Sequence, residues 1–176
     1  ERKTRFAVVR YGNVISSRGS VIPLFKELIK KGIKKLPITD KMMTRFVITL
    51  DEGVKFVLSE LQSFSGGEIL VPKLASIKII DLVEAMIKKN AYEIVGIRTG
   101  EKLHEVMIPK EEARNCIEIN NKFIITPQLS WWNREKLDVQ IRKLGKSVPN
   151  NFEYTSDNNS EWLSASKLKK IVNREP

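Results

Sequence analysis

The order of apolar and polar residues near the start of the chain predicts a buried strand, a polar loop and an amphipathic helix. Residues 6–9 form an unbroken run rich in β-branched side chains, which favours a buried strand. Glycine, asparagine and serine then dominate, as in a turn, until apolar residues return at helical spacing over about residues 20–31. In an α/β sheet, such a loop lies at the carboxyl end of a strand, where ligands bind.

The loop itself is a candidate anion site. Arg18 adds positive charge, and backbone N–H groups in the loop and at the start of the helix can face an anion. An ordinary strand-to-helix turn is the alternative, because Gly12 and Gly19 are spaced as in neither GxGxxG nor GxxxxGK[ST]. Both interpretations stay open on the residues alone.

The rest of the chain alternates predicted strands and helices, which indicates an α/β fold. Thr49 and Glu52 form a capping box ahead of one predicted helix, and another helix is expected to begin at Ser76. Shorter elements are predicted as strands at residues 68–72, 92–97, 117–119 and 123–126, and as helices at residues 103–107 and 164–172.

The sequence changes in character near Ile117, which suggests a division of the chain. We predict one domain over residues 1–115 and an extension over residues 116–176. Trp131, Trp132 and Trp162 are expected to pack the extension onto the domain. Because the chain opens on a strand that looks buried, we expect it to be the second part of a longer protein.

Composition is ordinary for a globular protein except for its charge. Lys and Arg number 31 against 21 Asp and Glu, which gives a net charge of +10. Such an excess favours an anionic partner such as nucleic acid, a membrane surface or a phosphorylated small molecule. A solvated basic surface explains most of the lysines more simply, because they are dispersed and no aromatic residues alternate with them to stack on bases. Nucleic acid is therefore not the expected partner.

Cysteine and histidine are too scarce for most metal sites. The single cysteine, Cys116, excludes an internal disulfide and fits a reducing compartment, so a cytoplasmic location is expected. His104 is the only histidine, so zinc is not expected, and nothing in the sequence brings it to Cys116 as a catalytic pair. No apolar run approaches the roughly 20 residues of a membrane span, and no signal-peptide pattern is present.

Three charged residues stand beside predicted turns and have open roles. Arg45 falls in a short connection just before a predicted helix, where it is either a surface salt-bridge donor or a clamp for a phosphate. Arg98 and Glu101 flank Gly100 in a loop after a predicted strand. They form either a turn with a local ion pair or a pair that holds the anionic and the hydroxyl parts of a ligand.

Five stretches in a fixed order carry a family resemblance. They are VVRYGNVISSRGSVIPLF, PITDKMMTRFVITLDEGVKFVL, GGEILVPK, EIVGIRTGEKLHEVMIP and FEYTSDNNSEWL. Together they resemble the second half of the UDP-N-acetylglucosamine 4,6-dehydratases, which are extended short-chain dehydrogenases/reductases. The resemblance is closest to the inverting type used for flagellin and surface-polysaccharide sugars. It implies an α/β chain that is the C-terminal, substrate-binding part of a Rossmann-like fold, with the N-terminal dinucleotide-binding half missing.

The resemblance also implies that the reacting groups lie in that missing half. There the family carries a glycine-rich NADP loop, a Thr/Asp/Lys dehydration group and a Tyr-x-x-x-Lys pair. No Tyr-x-x-x-Lys occurs in this chain, and the Thr39-Asp40-Lys41 tripeptide sits in the wrong place to be the dehydration group. The chain alone is therefore expected to be inactive and to need the missing half, in cis or in trans. The complete enzyme is expected to be a homo-oligomer.

By resemblance, this chain supplies the substrate side of the site. Asn13 would contact the sugar nucleotide, Arg45 and Arg98 would hold the diphosphate or nucleotide, and Glu101 would bond a hydroxyl such as that of the ribose. The nicotinamide end of NADP would be lined by Val14, Ile15, Ser16, Ser17 and Arg18. Two residues depart from the family pattern. Ser16 replaces a usual glycine and could crowd the nicotinamide, and Thr99 replaces a usual proline, which loses some loop rigidity.

The activity that the resemblance implies is that of a lyase. Hydride passes from C4 of the sugar to NADP⁺, water is lost across C5 and C6, and hydride returns to C6, which gives a 4-keto-6-deoxy sugar. The substrate would be UDP-N-acetylglucosamine or a related UDP-amino sugar. Two alternatives stay open: a fragment of a UDP-sugar epimerase, and a non-catalytic module that binds a nucleotide sugar or, through its charge, nucleic acid.

Overall fold

The computed structural model describes residues 4–15, 17–129, 132, 135, 137 and 139–174. The chain forms two compact units, each assembled from separate stretches. Unit 1 comprises Glu1–Tyr11, Leu50–Lys73 and Val106–Thr155, and unit 2 comprises Gly12–Thr49, Leu74–Glu105 and Ser156–Pro176. The segment after residue 115 contributes to both units, and the predicted division into residues 1–115 and 116–176 stays a prediction.

Strands and helices alternate along the chain. In chain order the strands are β1 (Val8–Val9), β2 (Asn13–Val14), β3 (Leu36–Ile38), β4 (Thr44–Ile48), β5 (Ile69–Pro72), β6 (Ala75–Lys78), β7 (Tyr92–Ile94), β8 (Val106–Ile108), β9 (Cys116–Ile119), β10 (Lys122–Ile125), β11 (Lys146–Ser147) and β12 (Tyr154–Thr155). The α-helices are α1 (Val21–Lys30), α2 (Leu50–Glu60), α3 (Ile79–Met86), α4 (Val139–Leu144) and α5 (Ala165–Arg174), and a 3₁₀-helix spans Lys110–Asn115. Within the described ranges, none of the helices has the length and apolarity to cross a membrane.

In its described residues, unit 1 is built on a five-stranded sheet in the order β1-β5-β10-β9-β11. β1 runs parallel to β5, and the other neighbours are antiparallel. β9 and β10 form a hairpin whose turn holds Asn120 at a φ of 49°, a left-handed conformation that asparagine tolerates. The core of the unit contains Phe56, Leu70, Ile117, Ile119, Ile124, Trp132, Leu137 and Ile141.

Unit 2 combines, in the part that the structure describes, the sheet β2-β4-β6 with the strand pair β3-β7. β2 is parallel to β4, β6 is antiparallel to β4, and β3 is parallel to β7. The helices α1, α3 and α5 contribute apolar residues to the same core, and α5 packs on α3. That core contains Ile22, Phe25, Leu36, Ile38, Met43, Val47, Ile77, Ile79, Leu82, Val83, Leu168 and Val172.

Local sequence signals located several elements correctly. Helix α1 begins directly after Ser20, and α2 begins directly after Thr49. The strands predicted at residues 68–72, 117–119 and 123–126 are confirmed as β5, β9 and β10, and the predicted terminal helix is confirmed as α5. The strand predicted at residues 92–97 is shorter, because β7 ends at Ile94.

Two predicted helix positions are wrong, because pairing with distant segments decides the conformation. Ser76, the predicted helix start, lies in β6. Its backbone pairs with β4, its N–H donates to the carbonyl of Glu161 at 2.8 Å, and α3 begins only at Ile79. Residues 103–107 do not form the predicted helix. Residues 103–105 are a loop, and residues 106–107 belong to β8, which pairs with β12.

The described tryptophans pack within the units. Trp132 is buried in the core of unit 1. Trp162 donates its indole N–H to the carbonyl of Asn159 at 2.8 Å, and the Nζ of Lys78 lies 5.9 Å from the centre of its ring. Trp131 lies outside the described residues. The predicted docking of an extension through these residues stays a prediction.

Glu68 is a buried carboxylate that holds the turn before β5. Its side chain is 1% exposed, and its two oxygens accept the backbone N–H groups of Ser65 at 2.8 Å and Gly66 at 2.6 Å. These bonds satisfy donors in a turn where Gly66 takes a φ of 115°, which only glycine adopts readily. A buried carboxylate is tolerable here because the backbone supplies its partners.

We expect Glu68→Ala to lower the free energy of unfolding by about 2–3 kcal/mol, because two backbone donors lose a charged acceptor. Urea unfolding followed by circular dichroism measures this change. Glu93→Ala is the control, since Glu93 is exposed and a surface substitution changes stability by only about 0.5 kcal/mol. Equal unfolding midpoints for the two variants would contradict this role of Glu68.

We expect Cys116 to be unreactive in the folded chain. Burial, with Glu112 and Glu118 as further contributors, raises the pKa of its thiol from 9.0 to about 12. The reactive thiolate at pH 8 is therefore about a thousandfold scarcer than in the unfolded chain. A thiol reagent such as iodoacetamide should modify Cys116 only after urea is added. Rapid modification without urea would show that the thiol is accessible.

Candidate functional site

Unit 2 contains a cavity of about 330 Å³ that gathers polar residues from separate parts of the chain. Its polar lining comes from strand β2, the start of α1, the residues after β3, strand β4 and the turn after β7. Those residues are Asn13, Ser20, Thr39, Arg45, Arg98 and Glu101. Its apolar lining includes Phe25, Ile38, Met43, Leu82, Val95, Leu168 and Ile171. A largely apolar cavity with a few convergent polar groups is the usual form of a small-molecule site.

The β2 segment is fixed against β4 by close backbone packing. Asn13 and Val14 pair in parallel with β4, and the Ile15 N–H donates to the carbonyl of Ile48 at 2.9 Å. Gly12 precedes them where a Cβ would lie 2.6 Å from the Cβ of Phe46. Only glycine permits this approach, so Gly12 sets the position from which Asn13 and its neighbours line the cavity.

The start of α1 offers an unused hydroxyl. Gly19 turns the chain at a φ of 77°, and Ser20 precedes the first helical residue. The Ser20 Oγ is buried but makes no side-chain capping bond, and it has no hydrogen-bond partner in the part of the chain that the structure describes. Because a buried hydroxyl without a partner is costly, Ser20 is suited to bond a polar ligand atom in the cavity.

Arg45 lies in β4, not in the connection expected from the sequence, because the MTRF stretch pairs with β6. Its side chain is 13% exposed. Nη1 donates to the carbonyls of Thr44 at 2.7 Å and Leu103 at 3.1 Å, and Nε lies 3.5 Å from a carboxylate oxygen of Glu105. No hydrogen bond to Nη2 occurs within the described residues, so this nitrogen is the part of Arg45 left for a ligand.

Arg98 and Glu101 form a turn, but their side chains do not pair with each other in it. The Glu101 N–H donates to the carbonyl of Arg98 at 3.0 Å, and the Glu101 carboxylate accepts the backbone N–H of Arg98 at 3.2 Å. The other carboxylate oxygen of Glu101 accepts the Thr39 hydroxyl at 3.3 Å. In the described part of the chain, the Arg98 guanidinium has no hydrogen bond or ion pair. Its charge is thus available to an anion.

The structure brings most of the predicted site residues together. All of the predicted substrate-binding residues line the cavity, namely Asn13, Arg45, Arg98 and Glu101. Of the residues predicted to line the nicotinamide, Val14 and Ile15 also line it. Ser17 and Arg18 are exposed and lie outside its lining, and Ser16 lies outside the described residues.

Several lining residues were missed by the sequence interpretation. Ser20 follows the predicted loop directly, and its position just before a helix was the available signal. Thr39 stands out in the sequence only as part of the Thr39-Asp40-Lys41 tripeptide. Leu168 and Ile171 come from α5, which the sequence predicts only as a helix, with no reason to place it at a ligand site.

The described residues do not provide a complete dinucleotide site. Val14 and Ile15 offer an apolar edge, which suits a nicotinamide ring, but the chain has no GxGxxG loop to hold a pyrophosphate. Arg18 is exposed and outside the cavity lining. Among the described residues, no three His, Cys, Asp or Glu side chains are placed to hold a metal ion. The cavity is therefore suited to a phosphorylated polar ligand, with at most one edge of a dinucleotide.

Comparisons with known sequences agree on one family. A sequence profile of the family described as "Polysaccharide biosynthesis protein" matches residues 1–127. The UDP-N-acetylglucosamine 4,6-dehydratase (inverting) of Campylobacter jejuni subsp. jejuni serotype O:2 is 47% identical over 175 residues, which are 98% of this chain and 52% of the relative. The UDP-glucose 4-epimerase of Rickettsia bellii is 35% identical over 174 residues, covering 97% of this chain and 50% of the relative. The chain thus spans about half the length of these curated relatives.

A solved structure shares the fold as well. The X-ray structure of Pen from Bacillus thuringiensis matches with a TM-score of 0.77 and 32% sequence identity, over 97% of this chain and 50% of that one. This similarity and the mixed sheets confirm the predicted fold class, part of an extended short-chain dehydrogenase/reductase. The resemblance to half of a UDP-N-acetylglucosamine 4,6-dehydratase is likewise confirmed. The chain therefore belongs to the polysaccharide biosynthesis protein family.

Proposed function

We propose that the cavity of unit 2 is the substrate site of an NADP-dependent UDP-N-acetylglucosamine 4,6-dehydratase. The observation that carries the proposal is convergence. The family resemblance predicts Asn13, Arg45, Arg98 and Glu101 as substrate-binding residues, and all of them line one cavity. Chance placement of residues from three separate stretches around the same cavity is a poor explanation, and the 47% identity to a dehydratase points to the same ligand.

In this proposal, different side chains of the cavity bind different parts of the ligand. Arg98, whose guanidinium lacks a partner in the described chain, binds the diphosphate together with Nη2 of Arg45. The Glu101 carboxylate accepts a hydrogen bond from a hydroxyl of the ribose, since an ionised carboxylate is a hydrogen-bond acceptor. Ser20 and Asn13 bond polar atoms of the sugar nucleotide, and the apolar lining packs against its less polar surfaces.

The proposed reaction needs groups that this chain does not carry. NADP⁺ would supply the hydride acceptor for C4. Val14 and Ile15, which line the cavity, would border its nicotinamide, and Ser16, Ser17 and Arg18 follow them in the sequence. By the family resemblance, the acid and base groups for the loss of water across C5 and C6 would come from the N-terminal half of the complete enzyme. We propose a complete homo-oligomeric enzyme in the cytoplasm, serving flagellin or surface-polysaccharide sugars.

A UDP-sugar epimerase is the second candidate, because UDP-glucose 4-epimerases of Rickettsia match the same part of the chain. Oxidation at C4 is common to both reactions, so the residues of this cavity serve either one. The higher identity to the dehydratase, 47% against 35%, favours dehydration. The product distinguishes the two, since only dehydration yields a 4-keto-6-deoxy sugar.

We expect the chain to bind UDP and Arg98→Ala to weaken this binding at least about tenfold, because a charged hydrogen bond to phosphate is lost. Calorimetric titration measures the affinity. Lys102→Ala is the matched control, since Lys102 is an exposed cation four residues away that does not line the cavity. The melting temperature should not change in either variant. Equal loss of affinity in both variants would reduce Arg98 to a contributor of general surface charge.

We expect the chain alone to give no turnover of UDP-N-acetylglucosamine with NADP⁺, because it has no Tyr-x-x-x-Lys pair and no dinucleotide loop. Chromatography of the sugar nucleotides after long incubation measures this. A 4-keto-6-deoxy product formed by the purified chain would overturn the expectation, and binding without product would favour a substrate half or a binding module. Nucleic acid would instead be supported as the ligand if the chain bound it with an affinity that falls steeply as salt is added, and if Arg98→Ala bound it equally well.

A further inference from the structure

We propose that Glu105 and Ser156 are positioning residues that fix the Arg45 guanidinium at the wall of the cavity. The ligand part of this inference rests on the proposed function, whereas the positioning part concerns the chain itself. Neither residue lines the cavity, so each would act on the ligand only through Arg45. The two residues come from different stretches of unit 2, the loop after the Arg98 turn and the segment after β12.

The loop at residues 103–105 contacts Arg45 through a backbone carbonyl and a side chain. The Leu103 carbonyl accepts both the Thr44 N–H and Nη1 of Arg45, each at 3.1 Å. The Glu105 carboxylate faces Nε at 3.5 Å. Nη1 and Nε of Arg45 are thus both contacted by protein groups, and Nη2 has no hydrogen bond within the described residues. Nη2 is therefore the nitrogen left as a donor to a phosphate.

Ser156 fixes this loop through two hydrogen bonds to Glu105. The Ser156 N–H donates to the Glu105 carbonyl at 2.9 Å, and the Ser156 Oγ accepts the Glu105 N–H at 2.9 Å. The Oγ also lies 2.6 Å from the hydroxyl of Thr44, at the start of β4. Ser156 is fully buried and Thr44 nearly so. This one serine therefore ties the position of Glu105 to the strand that carries Arg45.

His104 makes a second contact with the Thr44 hydroxyl. Its Nδ1 lies 2.8 Å from the Thr44 Oγ1, and its Nε2 lies 3.9 Å from a carboxylate oxygen of Asp157. The loop at residues 103–105, strand β4 and the segment after β12 are thus joined by one cluster of polar side chains, in which Thr44 and Ser156 are buried. Such clusters fix geometry when all members have partners, and they hold functional groups in place elsewhere in proteins.

The sign of the Glu105 charge separates positioning from simple electrostatics. A carboxylate beside Arg45 lowers the positive potential that attracts a diphosphate. If charge alone mattered, Glu105→Gln would bind UDP more tightly. If Glu105 orients the guanidinium, the same substitution should weaken binding, because the fixed direction of Nη2 is lost while the side chain keeps its size.

The experiment combines UDP titration with an NMR signal of the arginine itself. The Nε–H resonance of Arg45, assigned by its absence in Arg45→Lys, reports how fast this proton exchanges with water. We expect Glu105→Gln and Ser156→Ala to speed this exchange and to weaken UDP binding, each about tenfold, as for other groups that orient a binding residue. Ser166→Ala, at an exposed serine of α5, is the control and should change neither.

Two substitutions of Thr44 distinguish loss of its hydroxyl contact from a general loss of packing. Thr44→Val should behave as Ser156→Ala does, and Thr44→Ser should restore slow exchange and affinity, since it keeps the Oγ that contacts Ser156. If a Thr44 or Ser156 variant fails to fold, Glu105→Gln decides alone, because it leaves the backbone bonds to Ser156 intact. Unchanged exchange in Glu105→Gln, or tighter binding of UDP, would overturn the inference. Absence of UDP binding by the unaltered chain would count against the proposed function, and the exchange rates would still decide the positioning.

Discussion

Strand β4 is the element to which the polar lining of the cavity is fixed. It bonds to β2 along one edge and to β6 along the other, and Gly12 packs directly on Phe46 in its middle. The Thr44 N–H at its start is bonded to the Leu103 carbonyl, so the loop at residues 103–105 is aligned with it as well. Because Asn13, Arg45 and Glu105 are all placed by these contacts, the site depends on this strand more than on any single side chain.

Sequence patterns predicted correctly those elements whose conformation depends on residues close to them in the chain. Turn residues followed by helical spacing placed α1, and short apolar runs beside Asn120 placed the hairpin of β9 and β10. Signals failed where a distant partner decides the conformation. Ser76 precedes a strong helical pattern, yet β4 and Glu161 draw it into a strand. Arg45 was assigned to a connection for the same reason, since nothing near it shows that β6 is its neighbour.

The candidate site was predictable in part because charged residues beside turns are visible in a sequence, as Arg98 and Glu101 are. The residues around them were less visible. Ser156 and Glu105 are ordinary polar residues whose contacts run between stretches some fifty residues apart. Leu168 and Ile171 belong to a helix that looked like a terminal packing element, and their place at the cavity follows only from the packing of α5 in unit 2.

The central claim is that UDP-N-acetylglucosamine occupies the cavity of unit 2, and methyl NMR tests it most directly. Ile38, Val95 and Leu168 line the cavity, while Ile117 and Ile124 lie in the core of unit 1. Titration with UDP-N-acetylglucosamine should shift the methyl signals of the first group and leave those of the second unchanged. Shifts confined to unit 1, or none at millimolar ligand, would contradict the claim.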